Sequence, residues 1–150
     1  MDTTVQRFIQ QAWREQQVPL VDGILLATGI LYPVEYYRVF IRDTAGVGAR
    51  VLVDAQTKIQ PSDELVTVDE LDAVSDVEAG VRYSCGEGGY GSDGYLACAD
   101  NDGDLRWIAF FQESNPFTRV AIVDGRVEAT NNHGHVWICA KHDPTQLQVR

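Results

Sequence analysis

The dipeptide Asp124-Gly125 constrains the fold most, because it separates two apolar segments by only two residues. These segments, residues 117–123 and 126–130, are each long enough for one β-strand. Asp-Gly is among the dipeptides that most favour a two-residue hairpin turn with positive φ at both positions. The pattern therefore predicts an antiparallel hairpin over residues 117–130.

Further turn-forming segments separate apolar runs on both sides of this hairpin. Residues 95–99 and 105–112 flank Asp100-Asn101-Asp102-Gly103-Asp104, which has the composition of a turn. Residues 131–134 predict another turn before an apolar segment at 135–141. The second half of the chain is thus predicted to be an antiparallel meander of about five strands.

The N-terminal segment has a different periodicity. Residues 3–17 place apolar side chains at helical spacing, and Val18-Pro19 ends the pattern because the residue before proline disfavours helical geometry. We expect the apolar stripe to lie on a sheet; it consists of Val5, Phe8, Ile9, Ala12 and Trp13.

Strands are also predicted in the rest of the first half. Residues 24–32 form a continuous apolar run, typical of one well-covered strand, and residues 36–42 and 50–54 predict a hairpin around the turn at 44–48. The segment 61–80 holds seven acids and no Lys or Arg, and is compatible with either a short helix or an irregular crossing.

These patterns predict an α+β fold, in which an N-terminal helix packs on a mainly antiparallel β-sheet with a C-terminal meander. The 150 residues, of which 45% are hydrophobic, correspond to one domain spanning residues 1–150.

The net charge limits the classes of partner. With 22 acidic and 12 basic residues the chain has a formal charge of −10, which disfavours nucleic acids and anionic membranes and attracts basic proteins. The alternative explanation of the negative charge is that it keeps the protein soluble, without any role in binding. No signal peptide or membrane-spanning run is visible, and the three cysteines are an odd number. We therefore expect a cytoplasmic protein with reduced thiols.

Residues 86–91 match the spacing G-x-G-x-x-G of dinucleotide-binding loops. A strand pattern follows where such a loop would open a helix, and Glu87 and Asp93 would repel phosphate. We interpret the segment as a flexible loop or a loop that a partner contacts, and expect no nucleotide cofactor.

Two clusters contain metal-ligand residue types. Asp100, Asp102 and Asp104 lack the glycine and glutamate positions of a calcium loop. His133, His135, Cys139 and His142 match no compact zinc spacing. We predict no metal site and no other cofactor.

Catalysis has one candidate nucleophile. Cys85 precedes the glycine-rich loop and could react if a histidine lay beside it, although an inert strand-end thiol is commoner. Residues 114–117, Ser-Asn-Pro-Phe, are interpreted as a structural turn. No catalytic residue is assigned, and we expect a protein that is not an enzyme.

The segment 105–138 resembles a pattern found in small bacterial proteins, and the size and acidity of the chain resemble those of immunity proteins of bacterial toxin systems. The pattern covers about a quarter of the chain. Its residues are Trp107, Phe110, Phe111, Ser114, Asn115, Pro116, Phe117, Val120, Val127, Ala129, Gly134 and Trp137.

This resemblance implies an inhibitor that neutralises a basic toxin, often a nuclease, by electrostatic and aromatic contacts. Carboxylates would replace the phosphates that the toxin binds, and aromatic side chains would anchor the complex. The residues predicted to bind the partner are Asp63, Glu64, Asp69, Glu70, Asp72, Asp76, Tyr90 and Tyr95.

Two alternatives stay open. One is a small-molecule-binding domain or cysteine-dependent enzyme with a pocket near Cys85. The other is a structural or oligomeric protein that interacts through a sheet edge. The sequence does not distinguish a monomer from a dimer.

Overall fold

The computed structural model describes residues 3–38 and 47–150. One helix, α1 (Thr3–Arg14), precedes fourteen strands and one short 3-10 helix within these residues. The strands are β1 (Gln17–Pro19), β2 (Gly23–Leu26), β3 (Ile30–Arg38), β4 (Val47–Val51), β5 (Thr57–Lys58), β6 (Leu65–Thr67), β7 (Asp69–Asp76), β8 (Val81–Glu87), β9 (Gly94–Asp100), β10 (Leu105–Phe111), β11 (Phe117–Val123), β12 (Arg126–Asn131), β13 (Val136–Ala140) and β14 (Asp143–Val149); the 3-10 helix is Val53–Ala55.

The described strands form three antiparallel sheets. The main sheet has the order β4-β3-β2-β10-β9-β8-β7, with β5 also paired to β3. Strands β11 to β14 form a meander in sequence order, and β1 pairs with β6 in a two-stranded ribbon. The N-terminal helix, the mainly antiparallel sheets and the C-terminal meander were all predicted.

The main sheet is buried on both faces. One core lies between it and the meander, where the Phe111 and Trp137 ring centroids are 4.4 Å apart and Phe117 is fully buried. A second core joins the other face to α1 and the ribbon through Ile9, Ile108 and other apolar residues. Burial on both faces explains why the central strands are continuous apolar runs without polar alternation.

The edges of the two larger sheets approach each other. β7 lies next to β11, and β4 lies next to β14. A side-chain hydrogen bond crosses the first of these seams, from the Val120 amide N–H to Asp72 Oδ2 at 2.9 Å. The sandwich is therefore nearly closed on both sides, which covers strand edges that would otherwise pair with other chains.

Several local predictions are confirmed. Asp124 and Gly125 have φ of 51° and 76°, as a two-residue hairpin turn of this type requires. The hairpin predicted from residues 36–42 and 50–54 is confirmed only as an antiparallel pair of β3 and β4: the second strand is Val47–Val51, Tyr36 pairs with Ala49, and residues 53–55 form the 3-10 helix. Residues 39–42 of the first strand and most of the turn at 44–48 lie outside the described residues.

Other predictions about the first half are wrong. Residues 24–32 form two strands, β2 and β3, joined by a turn in which Gly29 has φ of 97°. A Cβ at Gly29 would be 2.6 Å from Val5 Cγ1, so this glycine also permits close packing of α1. The helix ends at Arg14, because residues 17–19 pair with β6.

The acidic segment 61–80 is neither a helix nor an irregular crossing. It forms β6 and β7, whose partners are the distant strand β1 and the adjacent strand β8. The predicted five-strand meander is corrected to four strands, because β9 and β10 belong to the main sheet and β14 was not predicted. No helix within residues 3–38 and 47–150 has the length and apolar content needed to span a membrane.

Candidate functional site

The strand register brings five strand termini to one end of the main sheet. Phe110 pairs with Gly23 and Phe111 with Gly94, while Glu87 pairs with Asp69. The segments that leave these termini are residues 20–22, 68–69, 87–93 and 112–116, which we call the loop end. The turns at 77–80, 101–104 and 124–125 are called the hairpin end.

The loop end is uniformly acidic. Its four segments contain Asp22, Asp69, Glu87, Asp93 and Glu113 and no Lys, Arg or His. Within the described part of the chain, the carboxylates of Asp69, Glu87 and Glu113 have no hydrogen bond or ion pair. Asp69 and Glu87 are also direct cross-strand partners, an arrangement of like charges that destabilises a sheet.

Asp93 organises the glycine-rich loop. Its side chain is fully buried and accepts hydrogen bonds from the backbone N–H groups of Gly88 (2.9 Å) and Tyr90 (3.4 Å). A Cβ at Gly88 would be 2.3 Å from Asp93 Oδ2. Backbone donors of the kind that contact phosphate in a nucleotide-binding loop are thus bonded to an internal carboxylate.

A cleft of about 390 Å³ opens beside this loop. Its base is a fixed polar network: Asp22 Oδ1 accepts hydrogen bonds from Tyr36 Oη and the Gln112 amide, both at 2.7 Å. Burial raises the pKa of Tyr36 well above its usual value, so the phenol stays a neutral donor. The cleft is lined by Asp22, Tyr90, Ser92, Gln112 and Glu113.

A smaller pocket of about 210 Å³ lies on the helix side of the same sheet. The rings of Trp13 and Tyr95 meet edge to face there, with centroids 6.3 Å apart. Glu70 is held by two hydrogen bonds from Arg82, at 2.6 and 2.8 Å, and this ion pair raises the pKa of Arg82. The lining residues are Trp13, Arg14, Gln16, Val68, Glu70 and Tyr95.

Four of the six predicted acidic binding residues are exposed. Asp63, Glu64, Asp69 and Glu70 lie on or beside β6 and the start of β7. Asp63 also has a structural role, because its Oδ2 accepts a hydrogen bond from the Gln60 amide at 2.8 Å. None of these side chains is excluded from contact with a partner.

The prediction that Asp72 and Asp76 belong to the same exposed patch is wrong. A bulge between Glu70 and Asp72 puts residues 72, 74 and 76 on the face toward the meander. Asp72 is half-buried and bonded to β11, and Asp76 is 9% exposed and forms an ion pair with Lys141 at 2.6 Å. Both carboxylates join the sheets.

The two predicted aromatic anchors differ in exposure. Tyr90 is 64% exposed in the glycine-rich loop, whereas Tyr95 is 2% exposed. The prediction of Tyr95 as a surface anchor is therefore corrected. The reason is that Tyr95 lies on a central strand, β9, and packs into the core beneath α1, where it forms a wall of the small pocket.

The structure does not support a reactive Cys85. The residue is fully buried, its Sγ lies 3.5 Å from the Phe117 carbonyl oxygen, and burial raises the pKa of the thiol to about 12. A thiol that is protonated at neutral pH and covered on all sides is not a nucleophile. Its side chain lies within the core between the main sheet and the meander, and it lines neither the cleft beside the glycine-rich loop nor the pocket of Trp13 and Tyr95.

The histidines and cysteine near the C-terminus do not converge. The His133 and His135 rings stack with centroids 6.5 Å apart, while Cys139 is buried in the core between the main sheet and the meander. In the described ranges, no group of three or more His, Cys, Asp or Glu side chains could hold a metal ion. Asp100 Oδ1 instead accepts hydrogen bonds from the amides of Asp102 and Asp104.

Sequence reasoning missed three residues of this end: Trp13, Asp22 and Glu113. No local signal identified Asp22 or Glu113, because Asp22 meets Gln112 across 90 positions of sequence. Trp13 was assigned to the apolar stripe of the helix, and its position beside Glu70 depends on how α1 packs.

No protein-family description matches the chain, and comparison with curated proteins and with solved structures gives no significant match.

Proposed function

We propose that this protein is an acidic binding protein of the bacterial cytoplasm that neutralises a basic toxin domain, as immunity-type inhibitors do. The loop end is the proposed contact surface. Its acidic residues would interact with Lys and Arg side chains of the toxin, and Tyr90 would supply the exposed aromatic contact.

The observation that carries this proposal is the unpaired charge of the loop end. Asp69, Glu87 and Glu113 have no partner within the described residues, and two of them face each other across a strand pair. Such an arrangement costs stability in the isolated protein. A basic partner would relieve it, because opposite charges would then lie between the carboxylates.

The placement of Tyr90 also favours binding. Its backbone is fixed by Asp93 while its ring is 64% exposed above the cleft. Tyrosine is common among binding hot spots, and the bonded backbone limits the loop entropy that is lost when a partner covers the ring.

The two alternative functions have less support. The Cys85 thiol is buried and protonated at neutral pH, which disfavours the cysteine-dependent enzyme. A sheet-edge interaction is disfavoured because β4 and β7, the ends of the main sheet, each lie next to a strand of the meander.

The test begins with the reading frame adjacent to this gene. Its product is purified and titrated into this protein by calorimetry at 50 and 500 mM NaCl. We expect a basic toxin domain, a complex that weakens with salt, and recovery of growth when both chains are expressed together.

Two triple variants localise the contact. Asp69→Asn/Glu87→Gln/Glu113→Gln removes three charges at the loop end, and Glu78→Gln/Asp102→Asn/Asp124→Asn removes three at the hairpin end. We expect the first to weaken binding at least about tenfold and the second to change it little. Equal effects of both would overturn the loop end as the interface. A neighbouring frame without a toxin domain, together with no complex, would overturn the immunity function.

A further inference from the structure

The pocket formed by Trp13, Tyr95 and Glu70 has features of a binding site that the acidity of the chain alone does not explain. Two aromatic rings and Val68 form its walls, and one oriented carboxylate lies at its side. Its volume of about 210 Å³ corresponds to one large side chain and is too small for most cofactors. From this geometry we propose that the pocket binds the guanidinium group of an arginine side chain.

The aromatic wall supports a cationic ligand. Trp is the best ring for cation–π contact, and Trp13 is half-buried, so it is fixed by packing yet accessible from the pocket. Tyr95 holds the indole by edge-to-face contact at 6.3 Å. A planar guanidinium stacks on such a ring better than an ammonium and is less strongly hydrated.

Glu70 supplies the matching anion. Its two oxygens are 2.6 and 2.8 Å from the Arg82 nitrogens, which fixes the rotamer of the carboxylate before any ligand arrives. A carboxylate offers about four acceptor positions, so two remain after Arg82 has bound. An incoming guanidinium can therefore donate to Glu70 without displacing Arg82.

The surrounding charge also favours a cation. Arg14, which also lines the pocket, is paired with Asp104 at 3.1 Å, and Arg82 is paired with Glu70. Two further acids, Asp69 and Glu87, are cross-strand partners one position along from Glu70 and its partner Gly86. Each of the two guanidinium groups is thus paired with one carboxylate, and Asp69 and Glu87 add negative charge near the pocket.

This inference rests on the proposed function, since it names the side chain that a basic partner would insert beside the loop end. A guanidinium anchored against an aromatic ring is a typical hot-spot contact. The free amino-acid derivative is a sufficient probe, so the pocket is testable without the partner.

The experiment titrates the full chain with N-acetyl-arginine methylamide and follows the indole N–H signals by NMR. Trp107 and Trp137 are buried, so we expect the Trp13 signal to shift in a saturable and salt-sensitive way. N-acetyl-citrulline methylamide has the same shape without the charge, and should bind at least about tenfold more weakly. Equal binding of both probes, or shifts that leave Trp13 unmoved, would overturn the proposal.

Variants separate a binding role from a structural one. Trp13→Leu and Glu70→Gln should each weaken the arginine probe about tenfold, whereas Glu78→Gln at the hairpin end should not. Unchanged binding of the arginine probe by Glu70→Gln would contradict the assigned role of Glu70.

Failure of this inference is distinct from failure of the proposed function. If the purified partner binds Trp13→Leu as tightly as the unchanged protein, the arginine pocket is wrong and the loop end keeps its role. If arginine shifts Trp13 and no toxin domain is found, the pocket stands and the immunity function is overturned.

Discussion

Asp72 Oδ2 accepts a hydrogen bond from the Val120 amide at 2.9 Å and so connects the edge of the main sheet to the edge of the meander. The two residues are 48 positions apart in sequence, and β7 and β11 belong to different sheets. The Asp72 carboxylate thus supplies the hydrogen-bond acceptor that the Val120 amide, on an edge strand, would otherwise lack.

Removal of this carboxylate should loosen the seam between the sheets. Asp72→Ala leaves the Val120 N–H, on a buried residue, without an acceptor, and we expect the unfolding free energy to fall by about 1–3 kcal/mol. Asp72→Asn keeps an oxygen at the same place and should cost less. Urea denaturation measures both; an Asn variant as unstable as the Ala variant would contradict the hydrogen-bond explanation.

The ion pair of Asp76 and Lys141 should make stability depend on pH in the acidic range. Lys141, followed by the Ala79 amide, lowers the pKa of Asp76 below its usual 3.8. A lowered folded-state pKa stabilises the protein above the unfolded value, and this contribution is lost as pH falls through the folded value. Lys141→Met should therefore lower the urea midpoint at pH 7, with a difference that shrinks below pH 3.8.

Asp143 provides an internal comparison for that measurement. Its pKa is lowered mainly by the hydrogen bond from the Thr145 hydroxyl, a contact that Lys141→Met leaves in place. The loss of stability that protonation of Asp143 causes at acidic pH should therefore be the same in the unchanged protein and in Lys141→Met. A difference in midpoint that stays constant down to pH 2 would show that Lys141 acts by packing and not through the charge of Asp76.

The three thiols should not react with thiol reagents in the folded protein. Cys85, Cys98 and Cys139 are buried, and burial raises the pKa of Cys85 to about 12. At pH 8 the Cys85 thiol is therefore almost entirely protonated, and it is also inaccessible to reagents. We expect Ellman's reagent to report no thiol before unfolding and three in guanidinium chloride. Rapid native labelling of Cys85 would revive the cysteine-dependent alternative.

Asp93 should stabilise the glycine-rich loop. Asp93→Ala removes the acceptor for Gly88 and Tyr90 and should cost about 2 kcal/mol of unfolding free energy. Amide hydrogen exchange at residues 88–91 should accelerate in this variant. Asp102→Ala is a suitable control because the Asp102 side chain is exposed in a turn. Unchanged exchange in the loop would mean that Asp93 does not hold it.

The like-charged pair at the loop end should cost stability in the isolated protein. Because Asp69 and Glu87 are cross-strand partners, Glu87→Gln should raise unfolding free energy by about 0.3–0.5 kcal/mol at low salt. Screening at 0.5 M NaCl should remove most of this gain. Glu78→Gln, in the β7–β8 turn, is the matched control. A gain that does not depend on salt would argue against repulsion as its cause.

Local patterns in the sequence determined the elements that depend on near neighbours. The helical stripe of residues 3–17 predicts α1, and Asp124-Gly125 predicts its hairpin, because both signals act within a few residues. The net charge of −10, also read directly from the sequence, bears on the class of partner and not on the fold.

The tertiary structure decided which acids face outward. Side chains on β7 alternate in direction, and the bulge after Glu70 sets the phase of that alternation, so Asp72 and Asp76 face the meander. Asp69 and Glu70, at the start of the strand, are exposed. β7 pairs with β8 at one end of the main sheet, and the other end of that sheet is formed by β2, β3 and β4, from residues 23–51. Tyr95 is buried because α1 packs over its strand, and Asp22 reaches Gln112 because β2 pairs with β10. Both contacts join segments that are far apart in the sequence, so local composition does not encode them.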